Sequence, residues 1–357
     1  MASSGGALRN SGGIIGAGGA VAGSTLSLSA SSIDNSGGAI TNAGTGAMTI
    51  NGGSQITNAN AGNVTGMGSI SGNGDVTLNA TSVVNTQGGQ LSGANLQIAT
   101  GNLNNSGGAI GNVANTTGDV GITTSSLTGT SGWINASRNL SITTSLLSGG
   151  GSYSAVGDLT LNLQGSFATS PNYSFGAGHN LTFTLPGTFS NGGRLAAAGG
   201  LNINASDVVN SGTLAAAGLL STHSNTLTNT GTIVGGSVSL NATQTLSNLG
   251  TSALIGATDS AGKLELLAPD IENRDDTTAF DAQAMTAIYG LGQVVLAGGK
   301  DANGNYTNAG LVRNQSGLIQ SGGDMLIAAN QVTNTRRAMS TTGFTSSVDP
   351  NLLAGLG

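Results

Sequence analysis

The chain has 357 residues, of which 62 are Gly, 7% are charged and none is Cys, with a net charge of −6. Nine Lys and Arg without a basic stripe exclude sequence-independent nucleic-acid binding, which needs clustered cations to displace phosphate counterions, and the lack of Cys excludes disulfides, thiolate metal sites and Cys nucleophiles. Disorder is excluded because 37% of the chain is hydrophobic and its Val, Ile and Leu stand at fixed alternating positions; the Gly and Asn load and the lack of 3.6-residue apolar spacing disfavour helix.

Residues 1–30 lack the basic and apolar regions of a signal peptide, and no run of eighteen apolar residues marks a membrane span. Met1 runs almost at once into repeat-like sequence at Gly12–Ile15, as in an excised fragment. From Leu26/Leu28 onward an apolar-x-apolar dyad recurs fourteen times at a mean spacing of about 23 residues. The series runs through Met48/Ile50, Val76/Leu78, Leu96/Ile98, Val120/Ile122, Leu140/Ile142, Leu159/Leu161, Leu181/Phe183, Leu201/Ile203, Leu220/Thr222, Val238/Leu240, Leu264/Leu266 and Val294/Leu296 to Met325/Ile327. One such strand cannot bury two apolar side chains alone, so the copies must stack on one another. The predicted fold is all-β: a right-handed parallel β-helix of about fourteen rungs, on the order of 65 Å long at one strand spacing per rung.

The repeat from Val208 to Asn229 fits three short strands separated by turns. Its Asn-Ser-Gly and Asn-Thr-Gly steps mark corners, where Gly supplies positive φ and Asn tolerates the left-handed region. Corner Asn residues recur at Asn191, Asn210, Asn229 and Asn248 in steps of 19, with Asn273 next; Asn10, Asn35, Asn58, Asn85, Asn105, Asn314 and Asn334 are related positions. Equal rungs place these amides above one another, and a structural Asn ladder is expected. Residues 129–185 replace the corner Asn with Gly149-Gly150-Gly151 and Pro171-Asn172 and carry Trp133, Tyr153, Phe167, Tyr173, Phe175 and Phe183. These aromatics are expected to fill wider rungs; a stacking platform for sugar rings is the alternative.

Charge concentrates in residues 263–357, where 15 of the 24 charged side chains lie. Residues 274–312 read as a rung interrupted by two excursions. The first is polar and acidic, from Arg274 through Asp275, Asp276 and Asp281; the second, Gly299 to Tyr306 with Lys300 and Asp301, contains the Asn303-Gly304 step of a hairpin turn. Arg274, Asp275, Asp276, Asp281, Lys300, Asp301 and Tyr306 are therefore candidate partner-contact residues, since projecting loops on rigid scaffolds often carry recognition. The expected layout is a β-helix over 1–273, the interrupted segment over 274–312, final rungs over 313–337, and a linker or the start of another domain over 338–357.

Asp270, Glu272, Asp275, Asp276 and Asp281 invite comparison with β-helices that cleave polysaccharides, but all five share one polar excursion with Arg274, as a solvated loop would. Asp75, Asp119 and Asp158 precede dyads where other repeats have Asn139, Asn180 and Ser237, which assigns them to capping turns. Asp301-x-Asn303-x-Asn305 opens like a calcium loop, yet Tyr306 and Val312 stand where that loop needs Gly and Glu. His179 and His223 lack the third ligand of a catalytic zinc site. No metal or cofactor is expected.

The Asn-Ser-Gly-Gly-x-Ile repeats at 10–15, 35–40 and 105–110 resemble those of filamentous haemagglutinin. The stretch Ala287-Ile288-Tyr289-Gly290-Leu291-Gly292-Gln293-Val294, with Gly298–Asp301, Asn314–Ser316 and Asn334–Arg336, resembles the stem of CdiA-type contact-dependent growth inhibition effectors. The resemblance implies secretion through an outer-membrane two-partner transporter and display on the bacterial surface. It further implies stacking on neighbouring stem segments of the parent chain and delivery of a toxin after contact with a target-cell receptor, largely through regions outside this chain. The function this points to is a non-catalytic stem, with a carbohydrate-binding or polysaccharide-cleaving β-helix as the alternative, using the acidic 270–281 loop or the aromatic 133–183 region.

Overall fold

In a parallel ladder each residue lies beside its counterpart one strand away, so a repeated inward dyad becomes two continuous apolar columns. The computed structural model describes residues 5–19, 21–276 and 285–337. Leu26 and Leu28 lie opposite Met48 and Ile50, and those opposite Val76 and Leu78. The register continues through every dyad to Met325 and Ile327. No helix occurs among the described residues, and the strands form a parallel β-solenoid of about 15 turns.

Each turn has three faces, well separated in the turn made of Arg194–Ala197, Leu201–Asn204 and Asp207–Asn210. The second of these is the dyad face. The first carries one inward branched residue per turn: Ile40, Ile70, Leu91, Ile110 and Ile134 stack in register, each buried. We refer to it as the Ile face. The third, the Asn face, carries one inward apolar side chain followed two residues later by an inward Asn, as in Ile33/Asn35 and Val208/Asn210. Four apolar side chains per turn, each contributing roughly 1.5–3 kcal/mol on burial, offset the ordering of a turn made mostly of small residues.

The Asn-Ser-Gly-Gly corner follows from the same geometry. Gly37 takes a φ of 69°, which side chains resist, and a Cβ on Gly38 would stand 2.8 Å from the Asn35 Oδ1. One Gly makes the bend and the other clears the amide column. The dyad column has one polar member, Thr222, stacked between Ile203 and Leu240, whose buried hydroxyl has no hydrogen-bond partner.

The acids and amides before the dyads cap the next turn's corner, not their own. Asn95 Oδ1 accepts from the Asp119 main-chain N at 3.0 Å, Asp119 from that of Asn139 at 3.1 Å, Asn139 from that of Asp158 at 3.0 Å, and Asp158 from that of Asn180 at 3.0 Å. Asp119 also receives the Arg138 guanidinium through Nε at 2.7 Å, and that hydrogen bond holds its carboxyl below the usual carboxylate value. Near the C-terminal end a hairpin leaves the solenoid after Gln293–Ala297, and the strands on either side of it and of residues 277–284 stay in register.

Candidate functional site

Twelve corner amides form two hydrogen-bonded columns. In the first, Asn10 Nδ2 donates to Asn35 Oδ1, Asn35 to Asn58, Asn58 to Asn85 and Asn85 to Asn105, each at 2.8 Å. In the second, Asn191, Asn210, Asn229, Asn248, Asn273, Asn314 and Asn334 follow one another at 2.7–2.9 Å. Donation always runs toward the C-terminal neighbour. The second Nδ2 hydrogen goes to main-chain carbonyls, as from Asn210 to Thr232 O at 3.0 Å, so these buried amides are satisfied.

Between the columns the corner positions are Gly129, Gly149 and Thr169. Bulk replaces hydrogen bonding there. Tyr153 is buried, its hydroxyl donating to Gly150 O at 2.9 Å and occupying space that Gly129 leaves open, and burial pushes its phenol pKa up. Phe175 stacks on Tyr153 at 5.4 Å, and Phe167, Phe183 and Phe189 continue the cluster, Phe183 and Phe189 being 5.1 Å apart. Trp133 departs from the expectation that all these aromatics fill rungs. Ile134 takes the inward position, which turns Trp133 outward and leaves it 50% exposed. Phe189, not singled out from sequence, belongs to the internal cluster.

The second excursion is a hairpin, Gly299–Lys300 against Tyr306–Thr307, closed by an Asp301 carboxylate that accepts from the Asn303 and Asn305 main-chain N at 2.8 Å. Its base is turned back onto the rod. Tyr306 Oη donates to Glu265 Oε1 at 2.6 Å and accepts from Lys263 Nζ at 2.9 Å, while Lys300 Nζ lies 2.8 Å from the same carboxylate and Ser239 Oγ donates to Oε2 at 3.2 Å. Both ammonium groups stand over the Tyr306 ring, at 5.5 and 5.2 Å from its centroid. Burial raises the Glu265 pKa, but the hydrogen bonds from Lys300 and Tyr306, then the Lys300 charge and Ser239, outweigh it and leave the carboxyl below its ordinary value. Beneath the hairpin Leu267, Val295 and Ala297 form a small core outside the solenoid, with Tyr306 packed on it. Glu265 and Lys263 were not identified from sequence. The signal for them was the loss of alternation in Leu264-Glu265-Leu266-Leu267 and Val294-Val295-Leu296-Ala297, where outward positions turn apolar because something covers them.

In the first excursion Glu272 meets Arg274 Nε at 3.0 Å and Arg313 at 3.1 Å, and Arg274 also pairs with Asp276. Asp275, expected in a solvated loop, is buried; its main-chain N donates to Gln315 O and its carbonyl accepts from Arg337 Nε at 3.1 Å. Asp281 lies outside the described residues. Of the five candidate acids, Glu272 and Asp276 are thus each held by a guanidinium. His179 and His223 are exposed on separate turns, and no cluster of metal-ligating side chains occurs among the described residues.

A family model for the haemagglutinin repeat matches residues 49–116, 108–168 and 176–250. The tRNA nuclease CdiA-2 of Burkholderia pseudomallei strain 1026b is 59% identical over 314 residues, 88% of this chain and 10% of that protein. The toxin CdiA of Yersinia pestis is 52% identical over 91 residues, 26% of this chain and 3% of that protein. The chain thus spans about a tenth or less of the length of these curated relatives. No solved structure matches it.

Proposed function

The chain belongs to the haemagglutinin-repeat family, and from that membership we propose that it is a stem segment of a large exported bacterial surface protein, acting through length and stiffness and not through catalysis. The observation that carries this reading is the uninterrupted register of the fourteen dyads. A solenoid whose turns contact only their neighbours is a spacer, and its reach is about 70 Å for about 15 turns. The outward positions between inward residues are mostly Ser, Thr and Asn, which give a rod little chemistry of its own.

The finer assignment is export through an outer-membrane two-partner transporter, stacking on further stem at either end, and support of a toxin-delivering, receptor-binding region. It rests on the CdiA relatives. The layout over 1–273, 274–312, 313–337 and 338–357 is part of the same proposal. Within the chain, Asp276 and the tip from Asp301 to Asn305 are the partner-contact positions with open surface, whereas Lys300 and Tyr306 hold the hairpin base and Arg274 is occupied by carboxylates.

In the parent protein, deleting residues 192–248 removes three whole 19-residue turns and joins Asn191 to the residue after Asn248 with the columns in phase. Secretion and delivery should persist with a shorter filament. Deleting ten residues from the same region should abolish both, since it breaks every column. Equal tolerance of the two deletions would refute the stem reading, as would a small-angle scattering profile of a compact sphere for the isolated chain. Cleavage in a polysaccharide panel, lost in Asp276→Asn, would favour the enzyme alternative.

A further inference from the structure

We propose that the groove beside Trp133 binds a neutral glycan. Trp133 is the single Trp of the chain and stands at an outward position of the Ile face, flanked in register by Ala109 and Ser152. Its ring reaches over to Gly111, where an added Cβ would come 3.6 Å from indole Cζ3. The half-exposed remainder is a flat apolar platform with small neighbours.

The groove next to it, about 490 Å³, runs between the corners Thr130–Gly132, Gly149–Gly151 and Pro171–Ser174. Its size is within the range of small-molecule sites. Gly149, Gly150 and Gly151 take φ values of 79°, 89° and 111°, conformations that side chains resist, and they leave part of the floor as bare backbone. The Thr130, Ser131, Ser152 and Ser174 hydroxyls and the Asn172 amide line the walls, and none of these five side chains is hydrogen-bonded to another described residue. No charged side chain is among the lining residues. An apolar platform beside exposed hydroxyl and amide groups matches a sugar, which offers a C–H face for the ring and hydroxyls for the walls. The absence of cations from this groove gives no anchor within it to sulfated, phosphorylated or nucleic-acid ligands.

The groove has a natural extension. The backbone pairing of the Ile face lapses between Tyr173–Ala177, which pairs with Gly151–Ala155, and Arg194–Ala197, which pairs with the following turn. A second cleft of about 370 Å³ opens there and shares Pro171, Tyr173 and Ser174 with the first; Arg194 lines it, so only the Trp133 groove is free of charge. A glycan longer than one ring would cross the turns along this line. Such a site would let the stem hold to a surface polysaccharide through a segment that is otherwise spacer.

The single indole makes the test direct. The intact chain is screened on an array of neutral bacterial and host glycans, and the strongest ligand is titrated against Trp fluorescence, with heparin as the acidic control. The expected result is a saturable blue shift with half-saturation near about 1 mM, the strength of a small open site. Asn172→Ala and Ser152→Ala, which keep the reporter, should weaken binding at least about fivefold. Trp133→Ser, read by saturation-transfer NMR, should abolish it while circular dichroism stays that of the parent. No neutral glycan retained on the array, an equal response to heparin, or binding unchanged in Trp133→Ser would each overturn the proposal. Retention of a protein by the Trp133 face in the absence of any glycan response would assign the platform to a protein partner and overturn it equally.

Discussion

Replacing Asn210 tests whether the amide columns hold the rod together. Its Oδ1 accepts from Asn191 Nδ2 at 2.8 Å, and its Nδ2 donates to Asn229 Oδ1 at 2.7 Å, Thr232 O at 3.0 Å and Gly212 O at 3.2 Å. The residue is fully buried. In Asn210→Ala the two amide–amide bonds and the bond to Thr232 are lost at about 1 kcal/mol each, and Asn229 Oδ1 is left buried without a donor at about 1 kcal/mol more. The sum is about 4 kcal/mol. Asn334→Ala removes one bond at an exposed end of the same column and should cost about 0.5 kcal/mol. Because a solenoid opens turn by turn, the appropriate assay is native-state hydrogen exchange resolved by turn, not a global midpoint. Protection over residues 191–232 should fall about 10³-fold in Asn210→Ala and hardly change there in Asn334→Ala. Asn210→Asp adds a sign test. An ionised carboxylate would face the Asn229, Thr232 and Gly212 oxygens, so its folded pKa must rise above the unfolded value. Stability should then be greatest below the ordinary Asp pKa and fall as pH rises. Equal costs for Asn210→Ala and Asn334→Ala, or an Asn210→Asp variant more stable at neutral than at acid pH, would refute the load assigned to the column.

Thr222→Val replaces a buried, unpartnered hydroxyl in the dyad column with a methyl of similar shape; it should stabilise the turns around 203–240 by about 1 kcal/mol, read as a rise in their exchange protection. Hairpin docking should depend on pH through Glu265, whose folded pKa is depressed: its contribution is present above the unfolded value of 4.5 and lost as pH falls through the folded one. Amide NMR shifts of Gly299–Thr307 should move to undocked values in acid while those of the dyad strands stay, and a hairpin that stays docked until the dyad strands themselves unfold in acid would remove Glu265 from the account. Gly150→Ala forces a side chain into φ 89° within 2.5 Å of Asn172 O and should cost more than about 1 kcal/mol, whereas Gly192→Ala, free of both constraints, should cost little; thermal denaturation separates them.

Much of the fold was legible in the sequence because a parallel solenoid stacks like on like: Leu26, Met48 and Val76 fill one column, and steps of 19 put Asn191, Asn210, Asn229 and Asn248 in another. The outward surface was less legible, since nothing in a strand's own pattern says what covers it. Glu265 meets Lys300 and Tyr306 across more than thirty residues of intervening chain, and only the broken alternation around Leu267 and Val295 pointed to a cover. Trp133 was misplaced for a different reason: it was grouped by composition with the other aromatics, although Ile134 and Ala136 beside it already claim the inward positions. Asp275 was assigned to solvent with its acidic neighbours, yet it is buried with its main chain tied to Gln315 and Arg337.

The break in the amide column and the groove at Trp133 have one physical origin. A column donating toward its C-terminal end can stop on a carbonyl and must restart with a donor. Asn105 Nδ2 stops on Trp133 O at 3.1 Å, and Thr169 Oγ1 restarts the column by donating to Asn191 Oδ1 at 2.7 Å. Between them the corners are relieved of holding an amide, and Gly129 and Gly149 occupy them. Without amides the interior gap is filled by Tyr153 and the Phe cluster, of which Tyr153 and Phe175 replace the smaller branched residues of the Ile-face column. The bulk coincides with the lapse in backbone pairing after Tyr173–Ala177, and the Gly corners give the floor of the groove. Where the column is intact, as from Asn191 to Asn273, every corner is tied and the surface is plain rod. At this groove the column is given up locally, and the aromatic core packs the turns where the amides are missing.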